Sequence, residues 1–111
     1  MTVISGEQQL LRLFIKESDA WEGRPLYKVI VEKLRQAHLA GCTVLRGMEG
    51  FGAHRRMHDS RYEILSQDLP IVIEVVDTEE KIRAILPELD KMITVGLMTL
   101  ENVDVEMHRP A

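Results

Sequence analysis

The sequence predicts an α+β domain in which strands and helices follow one another as β-α-β-β-α-β, and three observations carry that prediction. Residues 8–16, 42–51, 71–76 and 97–107 are apolar or alternate with a period of two, as strands do. Between the first and second of these, and between the third and fourth, apolar residues recur at helical spacing with charged residues opposite. Glycine, proline and aspartate punctuate the joints, at Gly23, Pro25, Gly41, Asp68, Pro70, Asp77 and Gly96.

The first strand (QQLLRLFIK) puts Leu11, Leu13 and Ile15 on one face and Leu10, Arg12 and Phe14 on the other, which implies burial on one side and partial cover on the second. Residues 17–24 are polar, with Gly23 and the single tryptophan, and read as a connection. Pro25 suits the first helical position, where its missing N–H costs nothing. Tyr27, Ile30, Val31, Leu34 and Ala37 then form the apolar stripe of a helix that Gly41 is expected to stop.

The second strand (CTVLRGMEGF) starts with β-branched and apolar residues and ends in glycine, residues 52–59 lack periodicity and read as an exposed loop, and residues 62–65 extend that loop or pair back as a hairpin. Residues 71–76 (IVIEVV) are the strongest strand signal in the chain. Asp77 with Glu80 three residues later reads as a capping box opening a second helix on Ile82, Ile85, Leu86, Leu89, Met92 and Ile93. Pro87 inside it is expected to kink or tighten it near Arg83, and Gly96 to end it.

Right-handed crossovers in this order place both helices on one face of a four-stranded antiparallel sheet, the ferredoxin-like arrangement. The other face stays apolar through Leu10, Phe14 and the unbroken Ile71-Val72-Ile73, so a monomer would expose it and oligomerisation is the economical inference.

Composition narrows the function. A chain of 111 residues holds one domain, Cys42 alone permits no internal disulfide, and no apolar run approaches the ~18 residues of a membrane span, so a cytoplasmic protein is expected. A net charge of -4 and a pI near 5.5 argue against a nucleic-acid binder. Against that acidic background Arg55, Arg56 and Arg61 face only Asp59 within residues 53–61, a local net of +2 beside His54 and His58, which points to an anion.

Gly47, Gly50 and Gly52 at a strand end let a backbone approach a ligand closely, and successive N–H groups there can cradle a phosphate; taken alone, a bulge and a tight turn out of the sheet are the simpler explanation of them. The segment matches neither a P-loop nor a dinucleotide fingerprint. His54 and His58 are low-probability metal ligands, because a spacing of four brings ligands together on a helix and not in a loop, and no further ligand completes the set. Cys42 behind Gly41 reads as buried and inert, and no nucleophile, base or carboxylate pair stands out, so a binding protein is favoured over an enzyme.

Pro25-Leu26-Tyr27, the run from Ala40 to Gly52 (AGCTVLRGMEGFG), the run from Asp68 to Asp77 (DLPIVIEVVD) and Gly96-Leu97-Met98-Thr99-Leu100 resemble the bacterial domain-of-unknown-function 190 family, over nearly the whole chain from about Gln9 to Val105. That family is similar to the PII signalling proteins, trimers of ferredoxin-like subunits with a long loop between the second and third strands. Gly41-x-Thr43-Val44 and Gly50-Phe51-Gly52 match the PII pattern. The resemblance implies adenine-nucleotide binding at clefts between subunits, with the following loop reporting occupancy to a partner.

On that basis Thr43, Gly50, Phe51, Gly52, Arg55, Arg56, Gly96 and Leu97 are the ligand-binding candidates, a homotrimer the assembly, and ATP, ADP, AMP or cyclic AMP the ligands to try, with no permanent cofactor. The chain departs from PII proteins where their Gly-Asp-Gly-Lys phosphate loop is replaced by Thr94-Val95-Gly96-Leu97-Met98, and where Ala53-His54 replaces the Arg-Gln after the glycines. The competing readings are a copper- or zinc-binding trimer and a ligand-free partner of a membrane transporter or regulatory protein. Residues 53–61 are expected to be mobile until an anion or partner arrives, since Ala53 and Met57 are their only apolar side chains.

Overall fold

A computed structural model describes residues 3–51, 58–59 and 68–111. In chain order the elements are β1 (Gly6–Lys16), β2 (Ala20–Trp21), β3 (Arg24–Pro25), α1 (Leu26–Gln36), β4 (Thr43–Arg46), β5 (Glu49–Gly50), β6 (His58–Asp59), β7 (Pro70–Asp77), α2 (Glu79–Met92) and β8 (Leu97–Val105). Strands β4, β7, β1 and β8 form one antiparallel sheet in that spatial order, and the expected two-layer ferredoxin-like architecture is the one observed. The core lies between the sheet and the two helices. Leu11, Leu13 and Ile15 of β1 and Ile71, Ile73 and Val75 of β7 pack against Val29, Ile30 and Leu34 of α1 and Ile82, Ile85, Leu89 and Met92 of α2.

The departures from the sequence reading have local causes. The connection after β1 contains a two-residue hairpin, β2 against β3, whose central residues Glu22 and Gly23 both have positive φ (49° and 79°), as a type I′ turn requires. Glutamate is a poor occupant of that position, because its Cβ crowds the following carbonyl. Glu22→Asn should therefore raise stability by about 1 kcal/mol, read as a rise of a few degrees in thermal midpoint.

Pro25 sits one position earlier than expected, at the N-cap of α1 rather than inside it. The helix ends before Gly41: Ala37 is its C-cap and His38 takes the left-handed conformation (φ 62°) that glycine was expected to supply. Asp77 does not form the expected capping box. Thr78 caps α2, its side chain accepting the Lys81 N–H at 3.2 Å, while Asp77 is buried and turned to other partners. Helix α2 continues through Pro87, which lies exposed while Ile82, Ile85, Leu89 and Met92 hold the opposite face in the core.

The second strand is the largest difference. It splits into β4, which joins the main sheet, and β5, which leaves it to pair with β6. Pro70 is the reason. The Gly47 N–H donates to the Pro70 carbonyl at 2.7 Å, and the chain then crosses the proline ring. A Cβ on Gly47 or on Gly50 would lie 3.2 Å from a Pro70 side-chain carbon, so both glycines are fitted to that crossing. Residues 58–59, read as loop from the sequence, thus carry a short backbone ladder to Glu49 and Gly50.

Gly96 comes after α2 has ended at Met92 and serves a close contact rather than a helix stop. Its Cβ would lie 2.8 Å from the Phe14 carbonyl oxygen and 2.9 Å from Ile93 Cγ2. Gly96→Ala should cost about 1–3 kcal/mol through this overlap with backbone, measurable by urea unfolding; an unchanged midpoint would show that β8 can shift freely.

Candidate ligand-binding site

The two faces of the sheet differ in a way the register makes explicit. On the face away from the helices Leu45 opposes Val72, Val72 opposes Phe14, and Phe14 opposes Leu97, so one apolar row crosses all four strands. Leu45, Phe14 and Leu97 are 48%, 36% and 56% exposed, so no described part of the chain covers that row. The next row inward is polar: Thr43, Glu74, Arg12 and Thr99 lie side by side.

Arg12 is the hub of this polar row. Its Nε donates to Glu74 Oε2 at 2.8 Å and its Nη1 to Glu101 Oε1 at 2.9 Å. The hydrogen bond to Glu74 raises the Arg12 guanidinium above its ordinary value, against an opposing desolvation, with the charges of Glu101 and Glu74 adding to the rise. A fork holding two carboxylates fixes the register of β7, β1 and β8 on the open face. This group was missed in the sequence, where Arg12 is only one polar residue in an alternating strand; Glu74 and Glu101 reach it solely through strand pairing.

The sequence-predicted ligand residues fall into separate places. Thr43 is exposed at the start of β4, and Gly50 and Phe51 follow the crossing over Pro70 beyond the other end of that strand. Phe51 is 66% exposed. Gly96 and Leu97 begin β8. β4 and β8 are opposite edges of the sheet with β7 and β1 between them, so a single copy holds the strand of Thr43 about 14 Å from the strand of Leu97 at the ordinary spacing, while Gly50 lies over Pro70 of β7. Among the described residues one chain does not assemble a pocket from them. Gly52, His54, Arg55 and Arg56 lie outside the described residues, as do the side chain of His58 and the question of whether residues 53–61 move.

Chemistry elsewhere is sparse. Among the described residues no group of three or more histidine, cysteine, aspartate or glutamate side chains could hold a metal ion. Cys42 is exposed rather than buried, and partial desolvation pushes its thiol up from the ordinary value, which leaves less thiolate at neutral pH. No helix among the described residues is long and apolar enough to cross a membrane.

Asp77 organises the other end of the sheet. It is 2% exposed; its Oδ2 accepts the Ala40 N–H at 2.7 Å and its Oδ1 the Thr78 N–H at 2.7 Å, joining the segment after α1 to the start of α2. The N-terminal segment is held to the chain end nearby, where the Ile4 N–H donates to His108 Nδ1 at 2.9 Å.

The structure is similar to that of CPII, a nitrogen regulatory PII-like protein from Thiomonas intermedia K12 bound to ADP, AMP and bicarbonate, with a TM-score of 0.65 at 16% identity over 89% of this chain and 94% of that one. It is also similar to a protein from Thermus thermophilus described as PII-like and signaling, with a TM-score of 0.63 at 21% identity over 90% of each chain. In sequence, the chain is 38% identical to a UPF0166 protein of Aquifex aeolicus (strain VF5) over 99 residues, 89% of this chain and 93% of that protein. It is 36% identical to a UPF0166 protein of Methanocaldococcus jannaschii over 85 residues, 77% of this chain and 78% of that protein. The fold is therefore that of PII-like proteins. The DUF190 family (Uncharacterized ACR, COG1993) matches residues 8–105, and with these relatives beside it the chain belongs to that family.

Proposed function

We propose that this protein is a PII-like regulatory subunit that binds a small anionic metabolite, an adenine nucleotide first among them, in clefts between the copies of a homotrimer. The observation that carries this reading is the placement of candidate residues on opposite sheet edges. Thr43 on edge strand β4 and Leu97 on the opposite edge strand β8 meet when the edge of one copy abuts the opposite edge of the next, and Phe51, exposed beyond the crossing over Pro70, is open to a neighbouring copy. A closed ring of three copies with sheets facing inward does this, and it covers the apolar row of Leu45, Val72, Phe14 and Leu97 in the same step.

In that cleft the backbone around Gly50 meets the anion, with Gly52 next in sequence, Arg55 and Arg56 neutralise its charge, and Thr43 supports the wall from β4. CPII, which shares the fold, is described with ADP, AMP and bicarbonate bound, and this favours a nucleotide as the ligand to test. The role is binding and reporting, through the segment that follows Phe51, in place of catalysis.

Isothermal titration calorimetry with ATP, ADP, AMP, cyclic AMP and zinc is the test. Saturable heat with a nucleotide is expected, and it should weaken at least tenfold when Arg55 and Arg56 are both replaced by alanine, with the thermal midpoint nearly unchanged because charges that serve a ligand add little to folding. No heat with any nucleotide on folded protein sinks the reading; heat with zinc alone replaces it by the metal-binding one, for which His54 and His58 are the residues to mutate.

A further inference from the structure

A depression of about 360 Å³ opens at the end of the sheet where α1 finishes and α2 begins, lined by Arg35, His38 and Lys81, with Ile4 and Leu39 as apolar wall and Asp77 beneath. Three features set it apart. Its polar rim is basic although the chain as a whole carries -4. The carboxylate in it, Asp77, is 2% exposed and each of its oxygens already accepts a backbone N–H, which ties it into the fold beneath the rim. His38 is held in the left-handed conformation at a position where glycine would be unstrained, and Lys81 Nζ donates to its carbonyl at 2.6 Å.

That last contact fixes the ammonium at the rim with two N–H groups still free. Arg35 makes no ion pair among the described residues. The other acids nearest in sequence do not line the depression: Glu79 and Glu80 are exposed on the first turn of α2, and Glu32, one turn before Arg35 and attracted by its charge, pairs with Arg24. The N-terminus of α2 is already capped by Thr78, so the helix end is not the source of the attraction.

We propose that the depression rimmed by Arg35, His38 and Lys81 is a binding site for a small oxyanion, a phosphate or carboxylate, distinct from the cleft between copies. A guanidinium and an ammonium lining one partly enclosed space can give an oxyanion charge-assisted hydrogen bonds, the strongest kind available to such a group. The strained His38 is then explained: a glycine would hold the turn with less strain but would remove the imidazole from the rim. The site depends on neither assembly nor nucleotide binding.

The test is a titration of the isotopically labelled full chain with inorganic phosphate, and separately with acetate, at constant ionic strength set by chloride, followed by amide shifts. Saturable shifts at Ala40, Thr78 and Lys81 are expected, with the tighter of the two anions naming the ligand class. Arg35→Glu and Lys81→Met should each weaken binding at least tenfold. His38→Gly should weaken binding while raising the thermal midpoint, a combination that a purely structural histidine does not produce. The inference is overturned by no saturable shift at these amides, by equal affinity in the Arg35 and Lys81 variants, or by shifts confined to residues 50–51 and 96–97, which would belong to the other cleft.

Discussion

Replacing Phe14 with glutamate should break the proposed trimer into monomers, seen as a threefold fall in mass by light scattering at micromolar concentration. Phe14 lies mid-row on the open face, between Val72 and Leu97, and is the aromatic member of the one apolar band that crosses all four strands. Aromatic side chains at the centre of an interface commonly carry about 2 kcal/mol or more each, and three copies would each lose one. A carboxylate placed there must also be desolvated on assembly or left without a partner, which adds to the loss.

The fold of each copy should be little affected, because Phe14 is 36% exposed in the single chain and points away from the helices. Circular dichroism of the variant should therefore match the wild type in shape. A wild-type mass equal to one chain would refute the inward-facing trimer directly. A mass of two chains would favour two sheets stacked face to face, with the same row still buried.

The second large effect is expected at Asp77. Its two oxygens take the Ala40 and Thr78 amides at 2.7 Å each, in a position 2% exposed. Asp77→Ala leaves both N–H groups without their acceptor and should cost about 2–4 kcal/mol, since an unmade bond to a buried donor costs roughly 1–3 kcal/mol. For a domain of this size that is a fall in thermal midpoint of roughly 10 °C or more. Asp77→Asn should not rescue it, because one end of the amide is a donor facing a donor. A loss under about 1 kcal/mol in the alanine variant would mean that water replaces the carboxylate, and that the join between α1 and α2 is looser than the geometry implies.

Much of the fold was legible because each element carries its own period. Leu11, Leu13 and Ile15 alternate whatever lies beside them, and Ile82, Ile85, Leu89 and Met92 share a helical face before any sheet exists. Once the order β-α-β-β-α-β is read, the handedness of crossovers leaves little choice of architecture. Local signals misled where two residues compete for one role. Asp77 and Thr78 both suit an N-cap, and burial of the aspartate decided it; Gly41 suits a helix end, yet the chain turns earlier, at His38, whose carbonyl Lys81 holds.

The candidate site was less legible, for a reason of geometry. Sequence marked Thr43, Gly50, Phe51, Gly96 and Leu97 by the company they keep along the chain, but where they lie depends on strand order, which puts Thr43 and Leu97 on opposite edge strands, and on the crossing over Pro70, which takes Gly50 and Phe51 off the sheet. The Arg12 pair with Glu74 and Glu101 spans 62 and 89 residues and exists only through register. The glycines at 47 and 50 announced a close approach, and only the path of the chain over Pro70 showed what was approached. Periodicity is a property of neighbours along the chain and fixes the elements; the site, the charged hub and the depression beside His38 are properties of neighbours across it, which exist only once long-range pairing has brought distant residues together.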